Sequence, residues 1–255
     1  MTATPSKKSD LGVRMLSAIV MIAVAGGAIW AGGLVFTLFL LALAGGLIWE
    51  WWGLVSKIAK TRLGLIGAML VGIVYIGWAL KVVHWLWVSP HPNSFAAFLF
   101  VVTAVMVVAV DVGAYFAGRT FGGPKIAPSI SPSKTWSGLA GGAAFCAIAI
   151  GVIEYIANGV SCGIGGCGPA GAQFGPTEIG LALGLGLVIA AIAQAGDFLE
   201  SWMKRRAGVK DSGNLIPGHG GLFDRLDGHL MVFAMLPVVV YLLLTVPAYF
   251  LQGLR

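Results

Sequence analysis

The sequence predicts an all-α, polytopic integral membrane protein: a helical bundle of about seven long spans, or up to nine if short or broken helices are counted. Three observations lead there. Hydrophobic residues make up 58% of the 255-residue chain against 10% charged, and mean hydropathy is +0.91, a composition foreign to water-soluble domains. The apolar residues fall into long runs, each near the roughly 20 residues that cross a bilayer. Basic residues collect on alternate connections between those runs, as the positive-inside rule asks of a multi-pass chain.

In order, the runs are Val13–Trp30, Leu34–Trp52, Leu63–Val83, Phe95–Ala117, Trp136–Ala157, Ile179–Phe198 and His229–Leu251. The first is followed at once by Gly32-Gly33 and the second, with no small-residue cleavage pattern, so it reads as a span and not as a leader. Lys7, Lys8 and Arg14 flank span one; Lys57, Lys60 and Arg62 follow span two. Arg119, Lys125 and Lys134 follow span four; Lys204, Arg205, Arg206, Lys210 and Arg225 follow span six. Lys81 and Arg255 alone fall on the other side. The N-terminus is therefore expected in the cytoplasm and the C-terminus outside. A net charge of +6 and a pI near 9.4 do not signal nucleic acid, because these cations serve topology.

Residues 1–94 read as an N-terminal three-span scaffold. Glu50 lies at a cytosolic span end among Trp49, Trp51 and Trp52, which suggests a boundary residue within an interfacial aromatic belt. His84 and His91, beside tryptophans and prolines, carry no evident chemistry. Cys146 in span five reads as a small packing residue. Cys162 and Cys167 share a Gly-rich connection, Asn158–Pro176, that lacks Lys and Arg and is assigned outside. A disulfide there and two free thiols both stay open.

Residues 95–255 read as the catalytic membrane domain. Asp111 stands well inside an apolar run, with Tyr115 and Arg119 following on the same helical face. An ionisable residue at that depth is a functional candidate by default, the alternative being a buried Asp111–Arg119 pair. The next connection carries Lys125 and then Ser131, Ser133, Lys134 and Thr135 just before span five. Ser133 or Thr135 suits a helix N-cap, and free N–H groups beside two lysines suit a phosphate.

The densest signal is the polar stretch from Gln194 to Asp227, which holds Asp197, Glu200, Asp211, Asp224 and Asp227 with five basic residues. Gln194, Asp197, Ser201 and Lys204 line one helical stripe, with Glu200 beside it. Lys210-Asp211 then leads into Pro217-Gly218-His219-Gly220-Gly221, a turn-rich segment that lets backbone approach a ligand. Asp224 and Asp227 share one face of the last helix. Hard oxygen donors without a Cys or His set favour Mg2+ over zinc. The expected metal ligands are Asp197, Glu200, Asp224 and Asp227, and His219 is expected to contact phosphate or loop rather than metal.

The pattern Ser201-x-x-Lys204-Arg205, Lys210-Asp211, Pro217-x-His219-Gly220-Gly221, Asp224-Arg225-x-Asp227 resembles the signature of the phosphatidate cytidylyltransferases, or CDP-diacylglycerol synthases. Asp111, Ala114-Tyr115, Gly118-Arg119, Gly122, Lys125, Pro128, Ser131-Pro132 and Lys134-Thr135 resemble the same family upstream. The resemblance implies that CTP and phosphatidic acid give CDP-diacylglycerol and diphosphate with a divalent cation. It casts Asp197, Asp224, Lys204 and Arg225 as catalytic. Substrate contacts would come from Asp111, Tyr115, Arg119, Lys125, Ser131, Ser133, Lys134, Thr135, Ser201, Arg205, Lys210, His219, Gly220 and Gly221. It implies a bacterial inner (plasma) membrane, leaves room for a second, monovalent cation, and is compatible with a homodimer. Lys204 and Arg205, beside the expected metal site, are assigned to the triphosphate; Arg119, Lys125 and Lys134 are assigned to the lipid phosphate.

Two other readings share some of these features. A CTP-dependent isoprenoid-lipid kinase would use similar carboxylates and lysines but release CDP. An ion-coupled transporter would use Asp111 and Asp197 for coupling ions, near the midplane and in symmetric halves; no such repeat is visible here. The charge pattern also makes a direct prediction. Single cysteines placed at Ser133 or Lys210, in a background without native cysteines, react with a membrane-impermeant thiol reagent only from the cytosolic side. Labelling from outside intact cells overturns the orientation.

Overall fold

The computed structural model describes residues 7–88, 95–165 and 176–252. Its helices are α1 (Lys7–Ala31), α2 (Gly33–Ile58), α3 (Arg62–Val88), α4 (Phe95–Thr120), α5 (Trp136–Gly165), α6 (Pro176–Ala207) and α7 (Phe223–Gln252). All seven are long and apolar enough to cross a membrane. In hydrocarbon a backbone can bond only to itself, so each apolar run closes its hydrogen bonds as a helix. The breaks fall where the chain can turn. Gly32 and Gly33 have φ of 60° and 45° and separate α1 from α2. Gly208, at φ 68°, ends α6, with Gly208 N bonding Arg205 O at 3.3 Å and Val209 N bonding Lys204 O at 3.0 Å, the paired closure of a Schellman turn.

The connection after α4 is not the plain loop expected. It forms an antiparallel hairpin, β1 (Lys125–Ala127) with β2 (Ser131–Thr135), pairing Lys125 with Thr135 and Ala127 with Ser131. Pro128 and Pro132 exclude helix there, and a two-stranded ribbon tolerates proline because each strand is an edge. Thr135 Oγ1 accepts Gly138 N at 3.1 Å and so caps α5.

Three apolar clusters hold the bundle. One joins Val107 and Val110 of α4, Cys146 of α5 and Ala190 and Ala193 of α6. Another joins Leu47, Trp51 and Leu54 of α2 with Ile76 of α3, Met203 of α6 and Phe223 of α7. The third centres on Phe36, Leu86, Phe100 and Phe233. Large apolar side chains cover the outside, Trp30 at 90% exposure and Ile22 at 73% among them; in water such a surface would aggregate, whereas lipid solvates it. Trp49 and Trp52 are exposed as a belt requires, but Trp51 turns inward, donates to Ala68 O at 3.0 Å and meets Phe223 edge-on at 5.7 Å. His84 bonds Thr37 Oγ1 at 3.0 Å between α3 and α2. His91, Cys167 and the side chain of Cys162 lie outside the described residues.

Glycines set the closest helix approaches. A Cβ added at Gly113 would stand 2.5 Å from Gly141 O and 2.6 Å from Phe145 Cβ, and one at Gly186 would stand 2.6 Å from Ala143 O. Membrane helices associate through such close packing, because lipid is as apolar as the interface. Gly113→Val should therefore force α4 from α5 and cost about 1–3 kcal/mol, read as a lower unfolding temperature in detergent. Gly45→Ala, with nothing within 4 Å, should leave it unchanged.

Candidate functional site

The C-terminal halves of α4 and α6, the N-terminal end of α7 and the hairpin surround a polar cavity of about 350 Å³. Asp111, Ser131, Ser133, Lys134, Asp197, Ser201, Asp224, Arg225 and Asp227 line it. Another cavity, between α3, α4 and α7, is almost wholly apolar and is lined by residues such as Trp78, Trp85 and Leu244. The polar one thus collects residues from four segments, α4, β2, α6 and α7.

Helix packing explains the collection. Gly196 and Gly228 bring α6 against α7: a Cβ at Gly196 would stand 2.9 Å from both the Asp227 carbonyl carbon and Met231 Cβ. Asp197 and Asp227, next to those glycines, therefore face one space. Asp227 Oδ1 accepts its neighbour Gly228 N at 2.8 Å. Across the cavity Lys134 Nζ, delivered by β2, bonds Asp197 Oδ2. The lysine assigned to a lipid phosphate and the carboxylate assigned to metal thus meet directly.

A second ion network lies behind the lining. Lys204 Nζ bonds Glu200 Oε2 at 2.7 Å and Asp224 Oδ1 at 2.6 Å. Asp224 Oδ2 accepts Ser212 N at 2.9 Å and Gly221 N at 2.9 Å, with Ser212 Oγ at 3.0 Å. Glu200 is only 2% exposed and does not line the cavity; it holds Lys204. Arg225 lines the cavity and bonds His219 O at 2.8 Å, while His219 Nδ1 lies 2.8 Å from Ser17 Oγ of α1. Gly218 and Gly220 have φ of 74° and 83°, so this segment needs glycine to turn.

Other expected contacts stand apart. Arg119 does not pair with Asp111; it bonds Tyr115 OH at 2.7 Å and lies over that ring at 5.9 Å, both residues being exposed. Arg205 reaches Ile130 O of the hairpin at 3.4 Å. Lys125 and Lys210 are exposed and off the lining, and Thr135 is buried as the α5 cap.

Glu50, expected as a boundary residue, is instead buried, and Ser212 was not singled out. Glu50 is 2% exposed and accepts Leu222 N, Phe223 N and Ser212 Oγ at the start of α7; Ser212 bridges it to Asp224. Glu50 could have been found by the criterion applied to Asp111, a carboxylate next to hydrocarbon that needs a partner. Ser212 carries no comparable signal.

Four carboxylates line the cavity against two cations, Lys134 and Arg225. Among the described residues no three His, Cys, Asp or Glu side chains converge closely enough to hold a metal unaided. Mg2+ characteristically takes only one or two carboxylates and completes its shell with water and substrate phosphates. The all-oxygen donor set fits that ion.

A model of the cytidylyltransferase family matches residues 54–245. The chain is 34% identical over a 268-residue alignment to the phosphatidate cytidylyltransferase of Brucella suis, covering 89% of this chain and 92% of the relative. It is 30% identical to the phosphatidate cytidylyltransferase of Rickettsia bellii over 92% of both chains. The enzyme of that name from Haemophilus influenzae is 32% identical over 70% of this chain and 61% of its own.

The ion network makes its own prediction. With side-chain exposures of 3% for Glu200 and 10% for Asp224, Lys204→Met leaves two carboxylates buried without their cation. The expected loss is about 3–5 kcal/mol, seen by thermal unfolding in detergent. Adding Glu200→Gln to that variant should recover part of it.

Proposed function

The chain belongs to the cytidylyltransferase family, and from that premise we propose that it joins CTP to phosphatidic acid at the polar cavity, yielding CDP-diacylglycerol and diphosphate. The observation that carries this reading is the cavity itself, where carboxylates, lysine, arginine and hydroxyls converge among membrane-spanning helices. Phosphatidate reaches such a place by its head group from the bilayer, and CTP reaches it from water. On this reading the basic connections face the cytoplasm, by the positive-inside rule, and the bilayer is a bacterial inner membrane.

A phosphate oxygen of phosphatidate attacks the α-phosphorus of CTP. One P–O bond forms, the bond to the β-phosphate breaks, and diphosphate leaves with the electron pair. That balance needs no protein nucleophile, so the chain works by alignment and electrostatics. Lys134 and Arg225 offer charge to phosphate oxygens, and Ser131, Ser133 and Ser201 offer hydroxyl donors. The α5 N-terminus, just beyond β2, adds the positive end of a helix. When substrate arrives, Lys134 exchanges Asp197 for phosphate and frees that carboxylate. Asp197 and Asp224, one from each helix, would hold Mg2+ together with substrate phosphates and water, with Asp227 beside them and Asp111 available to a second, monovalent cation. Bound there, Mg2+ would neutralise charge on the departing diphosphate.

A CTP-dependent lipid kinase and a transporter are both disfavoured by the names of the relatives. The decisive measurement uses purified protein, labelled CTP and phosphatidic acid in detergent. Diphosphate release that stops with excess magnesium chelator is expected; release of CDP alone rejects the reading. Asp197→Asn and Asp224→Asn should each lower turnover by about 100-fold or more while the protein stays folded.

A further inference from the structure

Glu50 belongs to α2, remote in sequence from the cavity, and it does not line that cavity. Its carboxylate nevertheless ends at the segment that presents Asp224. Leu222 N bonds Oε1 at 2.9 Å, Phe223 N bonds Oε2 at 2.8 Å, and Ser212 Oγ stands 3.0 Å from Oε2. The two amides open α7, where a carboxylate meets both free N–H groups and the positive helix end. Ser212 Oγ is also 3.0 Å from Asp224 Oδ2. That hydroxyl has one proton, so it serves one carboxylate at a time while amides hold both in place.

Space around this arrangement is closed. A Cβ at Gly213 would stand 2.7 Å from Glu50 Cδ, and one at Gly221 would stand 2.7 Å from Glu50 Oε2 and from Gly213 N. Glu50 and the turn before α7 are therefore fitted to each other. With Oδ2 of Asp224 occupied by Ser212 and Gly221, its Oδ1 is the oxygen that reaches Lys204. A shift of the α7 start would rotate Oδ1 away.

We propose that Glu50 is a positioning residue for the transfer reaction: by clamping the α7 N-terminus and Ser212 it sets the orientation of Asp224. This rests on the reading above that Asp224 takes part in the reaction. A glutamine at this position has nearly the same shape, but its NH2 group would face one of the three donors. The loss falls on alignment in the transition state rather than on ground-state binding, so kcat should carry it.

The test compares Glu50→Gln, Ser212→Ala and Asp224→Asn as full-length protein in detergent, with size-exclusion profile and unfolding temperature recorded beside kinetics. A folded Glu50→Gln enzyme should show kcat lowered at least tenfold, with KM for CTP and for phosphatidate within about twofold of wild type. A purely structural role would lower the unfolding temperature or yield and leave kcat per folded molecule unchanged, which overturns the proposal. If Glu50→Gln does not fold, Ser212→Ala decides, since it removes the bridge but keeps both amide bonds: lowered kcat supports the proposal and normal kcat overturns it. Full activity in Asp224→Asn removes the reading beneath it. An inactive Asp224→Asn beside a normal Glu50→Gln rejects only the role of Glu50.

Discussion

The bonds from Lys204 to Glu200 at 2.7 Å and to Asp224 at 2.6 Å tie α6 to α7 at the polar end of the bundle, and the cavity depends on them. Each partner alone would be a charge held away from water, a state that costs several kcal/mol. Lys204 offsets part of the charge of both carboxylates and ties together α6 and α7, which bring Asp197, Asp224 and Asp227 to the cavity. The same constraint accounts for the rest of the network. Asp224 spends its second oxygen on Ser212 and Gly221, and Glu50 spends both of its own on the start of α7. Burial of a carboxylate calls for donors, and here they come from whatever segment the fold brings near, although Glu200 Oε1 is left without a partner.

Small residues make that meeting possible. Gly113 against Gly141, Gly186 against Ala143 and Gly196 against Asp227 let α4, α5, α6 and α7 approach to backbone contact. Larger residues would hold the helices apart by the width of a side chain. The carboxylates of α6 and α7 and the lysine of the hairpin would then no longer share one space. Packing here is thus part of the chemistry, because it determines which charges are neighbours.

The arrangement suits a reaction between a soluble nucleotide and an anchored lipid. Transfer of a cytidylyl group needs two polyanions brought into line, and the repulsion between them removed. Four carboxylates beside Lys134 and Arg225 make a place where a divalent cation and phosphates complete each other's coordination.

Much was legible in the chain itself. Seven spans follow from runs of apolar residues, since hydrocarbon leaves a backbone no partner but itself, and each run contains what its helix needs. Asp111, Asp197, Asp224, Asp227 and Lys134 were visible because a charge beside a greasy run must have a reason. Their roles could not be read the same way. That Lys204 reaches Asp224 of α7, that Lys134 of the hairpin pairs with Asp197, and that Glu50 clamps a helix 172 residues downstream are outcomes of tertiary packing. Local sequence specifies which groups are charged and which segments are helical, because those properties arise within a few residues. Which donor answers which carboxylate is decided only when helices distant in sequence come within hydrogen-bond reach.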